Sequence, residues 1–310
     1  MSPNTSGQHV AFSEHECRAY DGTRIYYRLS EPKGQAAVGE PLESPWLVLA
    51  DGIACDGFVW AHLIPYFAPR ARILHWHYRG HGKSEAPADF RNLSVPDLAR
   101  DLDTVMDDAG VLRAVLLGHS MGVQTILEFY RSYAGKVAGL VPICGSYEYP
   151  LNTFHDSTLL KKALPWMRLG VKSAPGIARV LQRVAKPEMV FRFGWLMAEL
   201  NRDRIRREDM LPYFEHLGTL DLDLFTTMLY YASLHSAADV LAEITVPTLV
   251  ISATRDSFTP GWLSDEMHGR IPGSEHLVLR DGSHAAPVEY SDLVNLRLEK
   301  FLIDHGLITA

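Results

Sequence analysis

Six short, mostly apolar runs recur along the chain, at residues 46–50, 71–76, 112–117, 136–144, 248–252 and 276–279. Their lengths, and the Gly and Pro that flank them, suit strands buried on both faces better than buried helices. Helical patterns lie between them. Over residues 96–108, for example, Leu98, Leu102, Val105 and Met106 recur at steps of three and four behind Pro96, a residue favoured in the first helical turn. Strand alternating with helix predicts an α/β fold, a mostly parallel, doubly wound sheet covered on both sides. Ahead of these runs, residues 16–20 and 23–29 flank Asp21-Gly22, a dipeptide suited to a tight hairpin, so two antiparallel strands open the chain. Residues 35–45 read as a loop.

The alternation stops between residues 147 and 235, where helix-length segments are broken by Pro150, Pro165, Pro175, Pro187 and Pro212. A chain of 310 residues fits one large domain with such an insertion. The predicted organisation is a flexible tail at 1–15, a core at 16–146 and 236–310, and an inserted helical segment at 147–235.

Composition narrows the function. Apolar residues make up 47% and charged residues 22%, which excludes disordered, collagen-like and coiled-coil chains. The net charge of −7 supplies no electrostatic reason to bind nucleic acid. Cys17, Cys55 and Cys144 are odd in number and far apart, as expected of reduced thiols in a cytoplasmic protein. The first 15 residues lack the basic-then-apolar pattern of a signal peptide, and no stretch approaches 18 apolar residues.

The strongest local signal is Gly118-His119-Ser120-Met121-Gly122, where the apolar run 112–117 gives way to a helical pattern at 124–133. A serine there occupies a tight strand-to-helix turn; glycines two residues to either side keep the backbone clear, and the helix N-terminus favours developing negative charge. The competing account is a glycine-rich turn whose serine only caps the helix.

With this motif the sequence resembles the α/β-hydrolase superfamily, from about residue 17 to the C-terminus outside the insertion. In that family the order is nucleophile, acid, histidine. By resemblance Ser120 is the nucleophile. The run 248–252 followed by Ala253-Thr254-Arg255-Asp256 matches the loop that presents the acid, making Asp256 the candidate over Asp221 and Asp223. Asp281-Gly282-Ser283-His284 matches the loop of the histidine. Chemically, an imidazole must take the serine proton, and a carboxylate must orient and stabilise that imidazole. The resemblance also implies an oxyanion hole from the backbone N–H groups of Met121 and Ile53. Relatives commonly carry His-Gly before the second donor. Here the pair is Asp51-Gly52, and a carboxylate beside a forming anion is unfavourable unless turned away or paired.

The expected activity is hydrolysis of carboxylic esters through an acyl-enzyme, esterase- or lipase-like, without a cofactor. The same residues serve lactone, thioester or C–C hydrolysis, and a silent ligand-binding member is a further alternative. His75, His77 and His81 raise a zinc reading, but no carboxylate lies among them in sequence, and no metal site is expected. Arg79-Gly80-His81-Gly82-Lys83-Ser84 reads as a turn; the glycine a phosphate-binding loop requires is His77.

The insertion resembles the helical cap of many relatives. Trp166, Met167, Met189, Phe191, Phe193, Trp195 and Met197 provide bulky apolar surface for cap packing or an apolar acyl pocket. Residues 158–192 carry Lys161, Lys162, Arg168, Lys172, Arg179, Arg183, Lys186 and Arg192 against Glu188 alone, a net +7. That excess raises contact with an anionic lipid surface as an expectation beside a solvated helical face.

Overall fold

A computed structural model describes residues 10–32, 46–152, 157–174, 176, 200–201 and 203–309. Eight strands form one sheet: β1 (Ser13–Arg18), β2 (Arg24–Ser30), β3 (Trp46–Ala50), β4 (Ile73–Trp76), β5 (Ala114–His119), β6 (Val137–Ile143), β7 (Leu249–Ala253) and β8 (Glu275–Leu279). Their order is β1-β2-β4-β3-β5-β6-β7-β8. β2 pairs antiparallel with β1 and β4, and every other pairing is parallel.

Every residue of β3, β5 and β6 is buried. Successive side chains leave a strand on opposite faces, so Val48 and Leu116 join one apolar core while Leu47, Leu49 and Leu117 join the other. Each such burial stabilises the fold by about 1.5–3 kcal/mol, which is why these runs carry no polar face.

Nine helices occur among the described residues: α1 (Leu63–Phe67), α2 (Val95–Asp108), α3 (Met121–Tyr133), α4 (Leu159–Ser173), α5 (Arg207–Thr219), α6 (Leu222–Leu234), α7 (Gly261–Arg270), α8 (Ala286–Glu289) and α9 (Ser291–Asp304). α2 starts where the sequence pattern places it. Ser94 accepts from the Asp97 N–H, Asp97 reaches back to Ser94, and Leu98, Leu102, Val105 and Met106 are buried.

The structure corrects several boundaries. β1 begins at Ser13, opposite Leu29, so residues 13–15 belong to the sheet and not to the tail. Their polar side chains suit an edge strand, where backbone pairing outweighs side-chain polarity. β5 starts at Ala114; Leu112 is 84% exposed and lies in the approach to the strand. Pro165 and Pro212 sit inside α4 and α5, on exposed positions, so each removes a backbone donor without ending its helix. Pro175 and Pro187, the tail up to residue 9 and the whole 35–45 loop lie outside the described residues.

Between β6 and β7 the described residues form α4, α5 and α6 without a strand. None of the described helices is long and apolar enough to cross a membrane. The position of the site follows from strand order. After β3 the chain moves outward to β4, then returns to the other side of β3 as β5, and Ala50 faces Gly118. The loops leaving β3 and β5 therefore open a crevice at the carboxyl edge of the sheet, where ligands bind in open α/β folds.

Candidate active site

Ser120 joins β5 to α3 with φ 56° and ψ −118°, a left-handed conformation that costs a non-glycine residue about 1–3 kcal/mol. The surrounding glycines make the turn possible. A Cβ on Gly122 would lie 2.2 Å from the Ala50 carbonyl oxygen, and one on Gly118 would lie 2.4 Å from that of Gly122. A Cβ on Gly145 would stand 2.5 Å from the Ser120 carbonyl oxygen. The Ser120 N–H donates to Ile143 at 3.1 Å, fastening the turn to β6.

Three side chains from separate strand ends meet here. His284 Nε2 lies 2.9 Å from Ser120 Oγ, and His284 Nδ1 lies 2.9 Å from Asp256 Oδ2. The carboxylate can only accept, so the ring proton resides on Nδ1 and the Nε2 lone pair faces the serine hydroxyl. Asp256 is itself held: Oδ1 accepts from the N–H groups of Phe258 and Thr259, each at 2.9 Å, and Oδ2 accepts from the Thr259 hydroxyl at 2.9 Å. Phe258 stacks on the imidazole at 5.0 Å between ring centres. Asp221 is elsewhere, capping α6 through the N–H groups of Asp223 and Leu224.

Met121 opens α3, and Ile53 follows β3; both line one cavity with Ser120 and His284. Gly52 brings the two loops together, since a Cβ there would lie 3.1 Å from that of Ser120. Asp51 does not oppose a forming anion, because its buried carboxylate is engaged by Trp60 Nε1 at 2.6 Å and His75 Nε2 at 2.9 Å. Burial alone would raise its pKa, but His75, His77 and the Trp60 hydrogen bond hold it below the usual carboxylate value. Arg28 Nε donates to His75 Nδ1 at 3.1 Å on the far side.

The fold thus brings to the histidines a carboxylate that their sequence neighbourhood lacks. His75 is bound to Asp51, His77 Nδ1 accepts from the Lys83 N–H at 2.9 Å, and His81 Nε2 accepts from the Ala54 N–H at 3.0 Å. The 79–84 segment is more than a turn. Buried Arg79 binds Asp101 with two nitrogens and Asp21 at 2.9 Å, while His81 supports the loop after β3.

Among known families, the one described as alpha/beta hydrolase fold matches residues 45–289. The chain belongs to that family. A protein of Escherichia coli named "Putative carbamate hydrolase RutD" is 23% identical over 83% of this chain and 86% of its own length. Among solved structures, the enol-lactonase from Burkholderia xenovorans superposes with a TM-score of 0.73 at 21% identity, covering 93% of this chain and 99% of that one. Esterase RhEst1 from Rhodococcus gives 0.69 at 19% identity, over 94% and 98%. These likenesses establish the shared α/β-hydrolase fold, and hydrolysis is the chemistry that family membership supports.

The cavity lined by Ser120 and His284 in this α/β hydrolase measures about 280 Å³. Its walls are largely apolar, with Ile53 and Phe58 from the core and Met167, Met210, Tyr213 and Phe225 from the helices between β6 and β7. Trp166 is 75% exposed and is absent from that lining. Met189, Phe191, Phe193, Trp195 and Met197 lie outside the described residues, as do Arg179, Arg183, Lys186 and Arg192. A larger cleft of about 520 Å³ between Arg91 and Lys172 is separate from the serine and includes Asp223 in its lining.

Four contributors were not visible to sequence reasoning: His119, Gln124, Phe258 and Thr259. Only Phe258 had a local signal, its spacing of two residues after Asp256, which suits an Asx turn.

Proposed function

We propose that the protein is a serine hydrolase that cleaves carboxylic esters. The reading rests on the 2.9 Å approach of His284 Nε2 to Ser120 Oγ with Asp256 behind the ring. Ser120 Oγ attacks the acyl carbon while His284 takes its proton, and Asp256 stabilises the imidazolium. The N–H groups of Met121 and Ile53 receive the oxyanion. Collapse expels the alcohol, protonated by His284, and water then cleaves the acyl-enzyme by the same route. These steps call for no cofactor. The helices between β6 and β7 act as a cap, a reading supported by the side chains that α4, α5 and α6 contribute to the cavity. The apolar walls favour an apolar acyl group.

A fluorophosphonate tests the nucleophile: it should label the native protein and leave Ser120→Ala unlabelled. Labelling that persists in Ser120→Ala would remove this reading. Turnover of p-nitrophenyl esters from acetyl to palmitoyl, beside a lactone, a thioester and a carbamate, assigns the substrate class; a lactone or carbamate turned over faster than every ester would displace the ester assignment.

A further inference from the structure

Gln124 lies four residues after Ser120 on α3, is only 1% exposed and yet lines the active-site cavity. Its Nε2 is 2.9 Å from the Ala232 carbonyl oxygen and 3.1 Å from His235 Nδ1. A carbonyl oxygen can only accept, so the atom facing Ala232 must be the amide nitrogen; the flipped amide would set two oxygens against each other. His235 accepts the second N–H. Its Nε2 lies 2.9 Å from Glu128 Oε2, and that carboxylate draws the ring proton to Nε2, leaving a lone pair on Nδ1. Burial, and after it the charge of Arg131, holds the His235 pKa down at about 4, so the ring is neutral. Arg131 in turn pairs with Glu128 and Asp239.

Both N–H groups of the Gln124 amide are therefore committed to protein acceptors. The atom left over is Gln124 Oε1, since both hydrogen bonds of the side chain among the described residues are made by Nε2. Two other polar groups in the wall are engaged, whereas His119 Nδ1 is a buried ring nitrogen without a hydrogen bond among the described residues. The Ser146 hydroxyl is bound to the backbone of Glu148, and the Thr259 hydroxyl to Asp256. An acceptor without a protein partner on a residue lining an apolar cavity discriminates against ligands that cannot supply a donor.

We propose that Gln124 Oε1 is a fixed acceptor that selects substrates bearing a hydroxyl or amide N–H a few bonds from the scissile carbonyl. The proposal rests on the serine-hydrolase reading for its reacting end. Four residues of helix rise about 6 Å, which sets the scale of the separation between reacting carbonyl and donor.

The test compares p-nitrophenyl hexanoate with its 3-hydroxy and 6-hydroxy derivatives and with p-nitrophenyl 4-acetamidobutanoate, on native protein and on Gln124→Met. In the native protein at least one donor-bearing ester should exceed hexanoate in kcat/KM by about tenfold or more, mainly through KM. In Gln124→Met that ratio should fall to about one. Because the ratio is taken within each protein, a general loss of activity cancels. Hexanoate preferred over all three donor-bearing esters by native protein overturns the proposal without any variant, as does a preference that survives in Gln124→Met. The hydroxyl and acetamido arms distinguish an alcohol from an amide donor. Fluorophosphonate labelling reads the nucleophile separately, so labelled protein with no donor preference defeats this inference alone. If no ester turns over, ranking the four parent acids as ligands by saturation-transfer NMR gives the same comparison without chemistry: tighter binding of a donor-bearing acid supports the proposal, and tighter binding of hexanoic acid overturns it.

Discussion

His119 Nε2 lies 2.9 Å from the carbonyl oxygen of His284, and the two rings pack 4.9 Å apart. The residue before the serine thus holds the backbone of the loop that carries the imidazole. Burial, followed by the nearby His284, pushes the His119 pKa down to about 4, so the ring is neutral and its Nε2–H is the donor. His119→Phe should lower kcat by about tenfold to a hundredfold through misplacement of His284, with KM little changed. His119→Gln, which retains a donor, should recover part of the loss. Steady-state kinetics of both variants check this; a Phe variant with native kcat would show that the contact does not position the loop.

Asp256 and Asp221 should separate sharply. Asp256→Asn keeps the shape but allows the wrong histidine tautomer, and kcat should fall about 10⁴-fold. Asp221→Ala removes only a helix cap, costing about 1 kcal/mol of stability. Its kcat should stay within about twofold of native, as measured in the same assay.

Gly122→Ala should destabilise the protein by about 3 kcal/mol or more, because the new methyl would meet the backbone of β3, which cannot move aside without breaking its pairing with β5. Gly110→Ala is the comparison. Its Cβ meets nothing within 4 Å, leaving only the strain of φ +67°, about 1 kcal/mol. Urea denaturation of both variants reads the difference, and equal midpoints would contradict it.

Acid should weaken the fold between pH 6.5 and 4. Burial first of all holds the pKa of His77 to about 3 and those of His81, His119 and His235 to about 4, against the ordinary 6.5. In that window the unfolded chain binds protons that the folded chain refuses, so stability is complete above pH 6.5 and is lost as the pH falls. Each histidine adds up to about 1.4 kcal/mol per pH unit to the slope. His81→Gln keeps an acceptor for the Ala54 N–H and should flatten the slope by about that amount, measured as unfolding free energy against pH.

Much of the architecture was legible because its causes are local. Apolar runs without a polar face can only be buried strands or buried helix, and their length and punctuation decided between the two. The turn at Ser120 was equally readable, since the glycines that permit its backbone stand two residues away. Asp51 shows where such reading stops. Beside the oxyanion loop it looked unfavourable, and its partner His75 lies 24 positions later, brought alongside only when β3 pairs with β4. Gln124 gave no signal at all, because its significance lies in the direction of two hydrogen bonds to residues more than a hundred positions away.

The sequence by itself determined the class of fold and the strained turn that carries the serine, since strand, helix and turn preferences depend on a few adjacent residues and on apolar surface escaping water. Tertiary structure alone decided the convergence of Ser120, His284 and Asp256, the engagement of Asp51 and the orientation of the Gln124 amide. Those depend on strand order and packing, which set the distance and direction between groups that share no local stretch of chain.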